Sequence, residues 1–404
     1  MRAVSSAPHR RLIAPGFTAS NRSELRKAII MTTALLSPAS ATRAEADAVS
    51  APLPGRIQAA YTTRFVAAAV HTDRAAFHLR SGAGLHPRPG DVVVARIGRI
   101  GSHKRIETPE SRKAILFEGA LVMLAYGHRY AADQFLAHVP GGLEPCHMVA
   151  AGGVAGRVVA AHDRVSAPTE IEPLGLLADA RGVVNLRRFA PLRNDPATLR
   201  VERPAVIGVL GTSMNSGKST AMACLINGLV KSGRTVGAAK ITGTGAGNDP
   251  MIYGDAGAAE VLDFTDFGYA TTFRLDMPSI RALTANLVAK LSASRPDAIV
   301  VEIADGVFQE ETAALLRDGR FQRTVDRVLF AASDALGARA GVQELRSAGL
   351  EVAAATGVMT SSPLASAEAG AVLLDQGAEV LGTYELALPE VAERVLAGRG
   401  PADR

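Results

Sequence analysis

Val206-Ile207-Gly208-Val209-Leu210-Gly211-Thr212-Ser213-Met214-Asn215-Ser216-Gly217-Lys218-Ser219-Thr220 is the stretch on which the fold turns. An apolar run of strand length enters a loop bounded by glycines. Beyond the loop, Met222, Leu225, Ile226 and Leu229 recur at three- and four-residue spacing, the pattern of a helix that stops at Gly233. Strand, glycine loop and helix in this order make a phosphate cradle. Glycines let backbone N–H groups turn inward, and the helix N-terminus adds positive potential. Lys218 is placed to reach β- and γ-phosphates, and the Ser219 hydroxyl to ligate Mg²⁺. The candidate nucleotide-binding residues are therefore Gly211, Thr212, Asn215, Ser216, Gly217, Lys218, Ser219 and Thr220.

Outward from this loop the rhythm repeats. Strands are expected at 206–210, 235–239, 298–301, 325–331, 351–355 and 379–381, with helical patterns between them. Such alternation predicts an α/β fold, a mostly parallel, doubly wound P-loop NTPase domain over residues 201–404. Ligands of such sheets sit at the carboxyl ends of the strands. Lys240 follows the second strand, and Glu302 and Asp305 follow a later apolar one, where oxygen ligands for Mg²⁺ belong.

The loop departs from the commonest spacing: five residues, and not four, separate Gly211 from Gly217. With Thr212 after the first glycine, it resembles dethiobiotin synthetases and their relatives, whose loop reads Gly-Thr-x-x-x-x-Gly-Lys-Thr. Lys240-Ile241-Thr242-Gly243 and Val300-Val301-Glu302-Ile303-Ala304-Asp305-Gly306 are similar to that family's later strand ends. The resemblance implies a catalytic set of Lys218, Lys240 and Glu302, with Lys240 as a second phosphate or substrate lysine. It also implies Mg²⁺ ligands Ser219 and Glu302, joined by an acidic residue after the second strand. Asp249 and Asp255 both qualify for that place, and Asp255 is carried as the metal candidate. Ile303 and Ala304 stand where the family has smaller residues, so the substrate side must differ. A second likeness covers Lys240 to Thr244 and Asp255 to Phe264. There the chain resembles a bacterial P-loop family that includes D-glutamate N-acetyltransferases.

These likenesses imply an ATP- and Mg²⁺-dependent synthetase, ligase or kinase-like enzyme acting on a small carboxylate- or amine-bearing metabolite. The alternatives are an N-acyltransferase whose loop holds acyl-coenzyme A, and a regulatory or cofactor-maturation NTPase. ATP is preferred to GTP because no Asn-Lys-x-Asp signature occurs. Ser213 stands where relatives that dimerise around nucleotide carry a lysine, which disfavours a partitioning switch and leaves a homodimer open.

The remaining half reads differently. Residues 55–200 contain short β-prone runs, 91–97, 114–117, 121–125 and 157–161, punctuated by Gly and Pro, which predict a smaller β-rich, barrel-like domain with a linker at 191–203. All nine histidines lie between His9 and His162, and His128 and His147 are candidates for acid–base work across an interface. The tip around Lys104 and Arg105 is read as a solvated hairpin and not an RNA contact. Residues 1–54 read as a flexible basic tail, with Met31 offering a second start. Seven basic side chains against Glu24 within residues 1–44 exceed the net charge of +5, so the rest of the chain is near neutral. With no Trp and 4% aromatics, base stacking on nucleic acid has little to build on. Two distant cysteines fit a reducing cytoplasm, and no apolar run is long enough to span a membrane.

Overall fold

The computed structural model describes residues 49–196 and 203–397. The first half is built from strands β1 (Val49–Pro52), β2 (Gln58–Ala59), β3 (His78–Ser81), β4 (Val92–Ile97), β5 (Arg105–Glu107), β6 (Lys113–Ile115), β7 (Leu121–Tyr126), β8 (Arg129–Tyr130), β9 (Phe135–His138), β10 (Cys146–Ala150), β11 (Val154–Ala161), β12 (Thr169–Asp179) and β13 (Gly182–Val183), with helix α1 at Arg64–Thr72. Apart from the β5–β6 hairpin, these strands form one sheet of 11. Its centre closes on itself: β12 pairs with β4, β4 with β7, β7 with β11, β11 with β10, and β10 with β12. Closure removes exposed edges and lets the β-branched run Val92-Val93-Val94 and its partners in β7 be fully buried. Val92, Met123, Val149, Val154 and Leu177 fill the interior.

Two sequence expectations shift here. Of the stretch read as tail, Val49–Pro52 is instead an edge strand antiparallel to β3, and residues 1–48 lie outside the described ones. The long strand β12 was not legible because Pro173 and Gly175 punctuate it; they sit where its register against β4 slips.

The second half carries β14 (Ala205–Gly211), β15 (Val236–Lys240), β16 (Glu260–Asp263), β17 (Ala298–Glu302), β18 (Arg327–Ala331), β19 (Val352–Thr356) and β20 (Glu379–Val380). They form a parallel sheet in the order β16-β15-β17-β14-β18-β19-β20. Its helices are α2 (Lys218–Lys231), α3 (Asn248–Asp255), α4 (Met277–Ser292), α5 (Glu310–Leu316), α6 (Gly319–Thr324), α7 (Ala335–Ser347), α8 (Pro363–Leu373) and α9 (Pro389–Ala397). Two apolar cores result. Ile280, Leu283 and Leu287 of α4 and Val342 of α7 cover one face, while Met222, Leu225 and Leu229 of α2 and Val391 of α9 cover the other. This is the doubly wound α/β arrangement expected from the alternation. The strand missed by sequence, β16, has only four residues with an acid at each end, and it lies at the sheet's edge.

The barrel and the α/β sheet are fastened by specific contacts. The Arg64 guanidinium bonds Asp266 at 2.6 Å and Thr265 at 2.7 Å. Thr271 donates to the His128 carbonyl at 2.7 Å, and the Gly247 amide to buried Glu107 at 2.8 Å. At Gly152 the approach is backbone to backbone: a Cβ there would overlap the Gly245 carbonyl. We expect Gly152→Ala to cost about 1–3 kcal/mol in urea unfolding, the usual penalty of overpacking. Gly55→Ala, with open space around the new methyl, should stay within about 0.5 kcal/mol. Equal stability of the two variants would show that the close approach constrains nothing.

Candidate functional site

Strand register brings the candidate residues together. Glu302 ends β17 opposite Val209 of β14 on one side and Lys240 of β15 on the other, so an acid and a base from different strands end side by side. The glycine loop runs from β14 into α2, whose first residue is Lys218. Gly217 adopts φ +97°, a conformation open to glycine, and packs its Cα face on Gly357 after β19. Asn215 also takes a left-handed φ of +62°, which Asn tolerates, and its side-chain amide bonds Asp133 of the barrel.

At the cleft floor the Ser219 hydroxyl donates to Glu302 Oε2 at 2.9 Å. Lys240 is 8% exposed; it bonds Asp249 and lies 3.2 Å from Glu302 Oε1. Tyr253, fully buried, donates its hydroxyl to Glu302 as well. Lys218 Nζ bonds the Ser213 carbonyl at 2.7 Å. Thr212 Oγ1 and Ser216 Oγ are buried polar atoms without a partner, and a Cβ on Gly211 would run into Ser216. Orphaned hydroxyls around a lysine and a left-handed glycine are what a loop shaped for phosphate oxygens presents.

The cleft is about 640 Å³ in volume, large enough for a nucleotide or a drug-sized ligand. Both halves of the chain line it. The α/β half contributes Asn215, Gly217, Lys218, Ser219, Thr220 and the cluster of Lys240, Asp249, Glu302 and Asp305. The barrel contributes His103, Arg129, Tyr130, Gln134 and the turn Ala150–Gly152.

Burial sets the electrostatics. It penalises the Lys240 charge, but Glu302 and Asp249 outweigh it and hold the ammonium well above its ordinary pKa. Burial likewise pushes the Asp249 carboxyl up, and Lys240 more than reverses this, leaving it below the usual carboxylate range. Lys218 is lowered by burial against the pull of Glu302 and Asp305. Asp305 is raised by burial, with Lys218 and Lys240 opposing. Burial together with Arg129 takes His103 down to about 4, so its imidazole is neutral at pH 7.

Sequence reasoning and geometry part at three places. Asp255 is exposed and does not line the cleft. It ends the eight-residue helix α3, whereas Asp249, in the first turn, meets Lys240. Six residues of α-helix separate them by about 9 Å, so Asp255 is set aside as a metal candidate in favour of Asp249. His128 and His147 are not among the cleft residues; each ring instead accepts a backbone N–H, from Val139 at 3.3 Å and Val158 at 3.2 Å. His103 and Arg129, which do face the cleft, carry no local motif. Asp249 and Tyr253 could have been found from helical spacing after Lys240, had α3 been recognised.

No group of three or more His, Cys, Asp or Glu side chains that could hold a metal occurs among the described residues. Ser219 and Glu302 nevertheless suit a hard cation completed by phosphate oxygens. Cys146 and Cys224 are free thiols. No helix among the described residues is long and apolar enough to cross a membrane.

Strand order, glycine loop and adjacent acid together define a P-loop NTPase-type α/β domain joined to a β-barrel. No protein-family model matches the chain, and no curated protein matches it in sequence. Among solved structures it is similar to the signal recognition particle receptor FtsY from Elizabethkingia anophelis, with 16% identity and a TM-score of 0.35 over 53% of this chain and 75% of that one. It is also similar to the cell division protein FtsY from Thermotoga maritima, at 19% identity and a TM-score of 0.34 over 53% and 74% of the two chains. The kinase domain of the Escherichia coli tyrosine kinase ETK follows at 14% and 0.29, over 38% and 66%.

We expect Asp249→Asn to cost about 1.5–3 kcal/mol at pH 7, the range for a hydrogen bond to a charged group. Because the Asp249 carboxyl is depressed in the folded protein, its contribution is fully present above the unfolded value of 3.8 and lost as pH falls through the lower folded one. The gap between wild type and variant in urea titrations should therefore hold from neutral pH downward and narrow only below 3.8. A gap that closes already near pH 6 would show that another group is responsible.

Proposed function

We propose that the chain is an ATP- and Mg²⁺-dependent enzyme of synthetase, ligase or kinase-like type, acting on a small metabolite that bears a carboxylate or an amine. The observation that carries this is the Ser219–Glu302 hydrogen bond at the floor of a cleft that the barrel roofs. Both oxygens lie where Mg²⁺ and the phosphates of a P-loop ligand belong. Residues 201–404 would bind the nucleotide, and residues 55–200 would cover the second substrate. The two free thiols favour a cytoplasmic setting.

In this reading the loop residues Gly211 to Thr220 hold the triphosphate, with Lys218 as the cation nearest its outer phosphates. Mg²⁺, held by Ser219 and Glu302, would offset charge on the phosphate oxygens. Asp249 and Glu302 fix the Lys240 ammonium at the cleft floor, where it favours the charge that builds up as a phosphoryl group is attacked. The barrel wall replaces water along one side of the cleft, and the lower local dielectric there strengthens each of these interactions.

Calorimetry with Mg·ATP tests the reading, and no binding by the wild-type protein would overturn it. Stabilisation by acetyl-coenzyme A and not by ATP in a thermal-shift comparison would replace it with the acyltransferase alternative. We expect Lys218→Ala to impair both binding and turnover. Lys240→Ala should lower metabolite-dependent ATP turnover by about a hundredfold to a thousandfold while weakening ATP binding much less. Turnover within about threefold of wild type would remove Lys240 from catalysis.

A further inference from the structure

Arg129 is the barrel's most deeply buried cation in the cleft. It begins β8, its side chain lines the cleft, and the residue is 6% exposed. One of its nitrogens is spoken for: Nη2 donates to Gln134 Oε1 at 2.7 Å. Nε and Nη1 are buried without any partner, and no ion pair to Arg129 occurs among the described residues. Leaving a guanidinium out of water with donors unmet is costly unless a ligand completes it.

The surroundings say which ligand. Arg129 and Lys218 both feel the charge of Asp305, and Asp133 acts on the guanidinium as well. The turn after β8 is tied to the glycine loop, since Asp133 receives the Asn215 side-chain amide and the same turn carries Gln134, which orients Arg129. The barrel thus anchors its arginine to the tip of the loop that Lys218 leaves. Arg129, Lys218 and Asp305 all line the same cleft, and a planar guanidinium suits the phosphate oxygens of a ligand held there.

We propose that Arg129 is donated by the barrel, within the same chain, to the terminal phosphate of the bound nucleoside triphosphate. The inference rests on the nucleotide reading of the loop. It assigns the barrel a contact with the reacting phosphate and makes nucleotide binding sense whether that phosphate is present. After its loss, Arg129 keeps only its bond to Gln134 and the cleft favours release.

The test is the ratio of affinities for Mg·ATPγS and Mg·ADP, measured by calorimetry on the full chain as wild type, Arg129→Gln and Arg129→Lys. Wild type should prefer the triphosphate. Arg129→Gln should lower that preference about tenfold or more, the effect of one charged contact, with Mg·ADP affinity within about threefold of wild type. Arg129→Lys should recover part of the preference, as a point charge without the fork. A wild-type ratio retained in Arg129→Gln overturns the inference and leaves the nucleotide reading standing. So does a wild type that binds both nucleotides equally. A lowered melting temperature with an unchanged ratio would make Arg129 structural. Wild type that binds neither nucleotide overturns the proposed function and this inference together.

Discussion

One ion cluster organises the centre of this molecule: the Lys240 ammonium, buried between Asp249 and Glu302. Each of the three would be expensive alone at that depth, and together they are tolerable because every charge faces an opposite one. The cluster is possible only because β15 and β17 are neighbours in register, which sets Lys240 opposite Glu302. It also fixes where α3 begins, since Asp249 must reach back from the first turn. Ser219 and Tyr253 then complete the oxygens of Glu302. The end of one strand is thereby tied to the start of α2, the body of α3 and the end of β15.

A site built from strand ends is legible in sequence to the extent that each strand announces itself. The run from Val206 into the glycine loop does so through apolar periodicity and glycine spacing, and Lys240 and Glu302 follow because they close apolar strands. Asp249 was indistinguishable from Asp255, since both sit within one short helix whose hydrophobic pattern is weak. Only the direction of that helix selects between them, and direction is a tertiary property. Two strands faded for a different reason. Four residues of β16 with acids at both ends, and a β12 punctuated by Pro173 and Gly175, lack the local signals on which strand recognition depends.

The barrel half was legible as architecture and silent as chemistry. Its Val-rich run foretold a buried strand, but the residues it aims at the cleft, His103 and Arg129, belong to no motif. Arg129 stands beside His128, the residue that draws the eye by its type. The His128 ring accepts a backbone N–H at 3.3 Å, while Arg129 lines the cleft. Residue type alone gave the wrong neighbour.

Why a closed barrel should cover such a cleft follows from stiffness. A lid made of loops would have to order itself around the ligand, at a cost in conformational entropy for each residue fixed. Here the covering surface belongs to strands whose hydrogen bonds close into a ring, and it meets the other half through backbone contact at Gly152 and Gly245. Groups on such a surface are preorganised, so a ligand meets donors that are already aimed. The requirement is that the two halves approach within van der Waals distance, and this accounts for the small residues on both sides of the seam. Gly127 faces Thr271, Gly152 faces Gly245, and Gly247 faces Ser111 and Tyr61. By letting the surfaces meet, these glycines set the distance from which a barrel side chain can share a ligand with the loop.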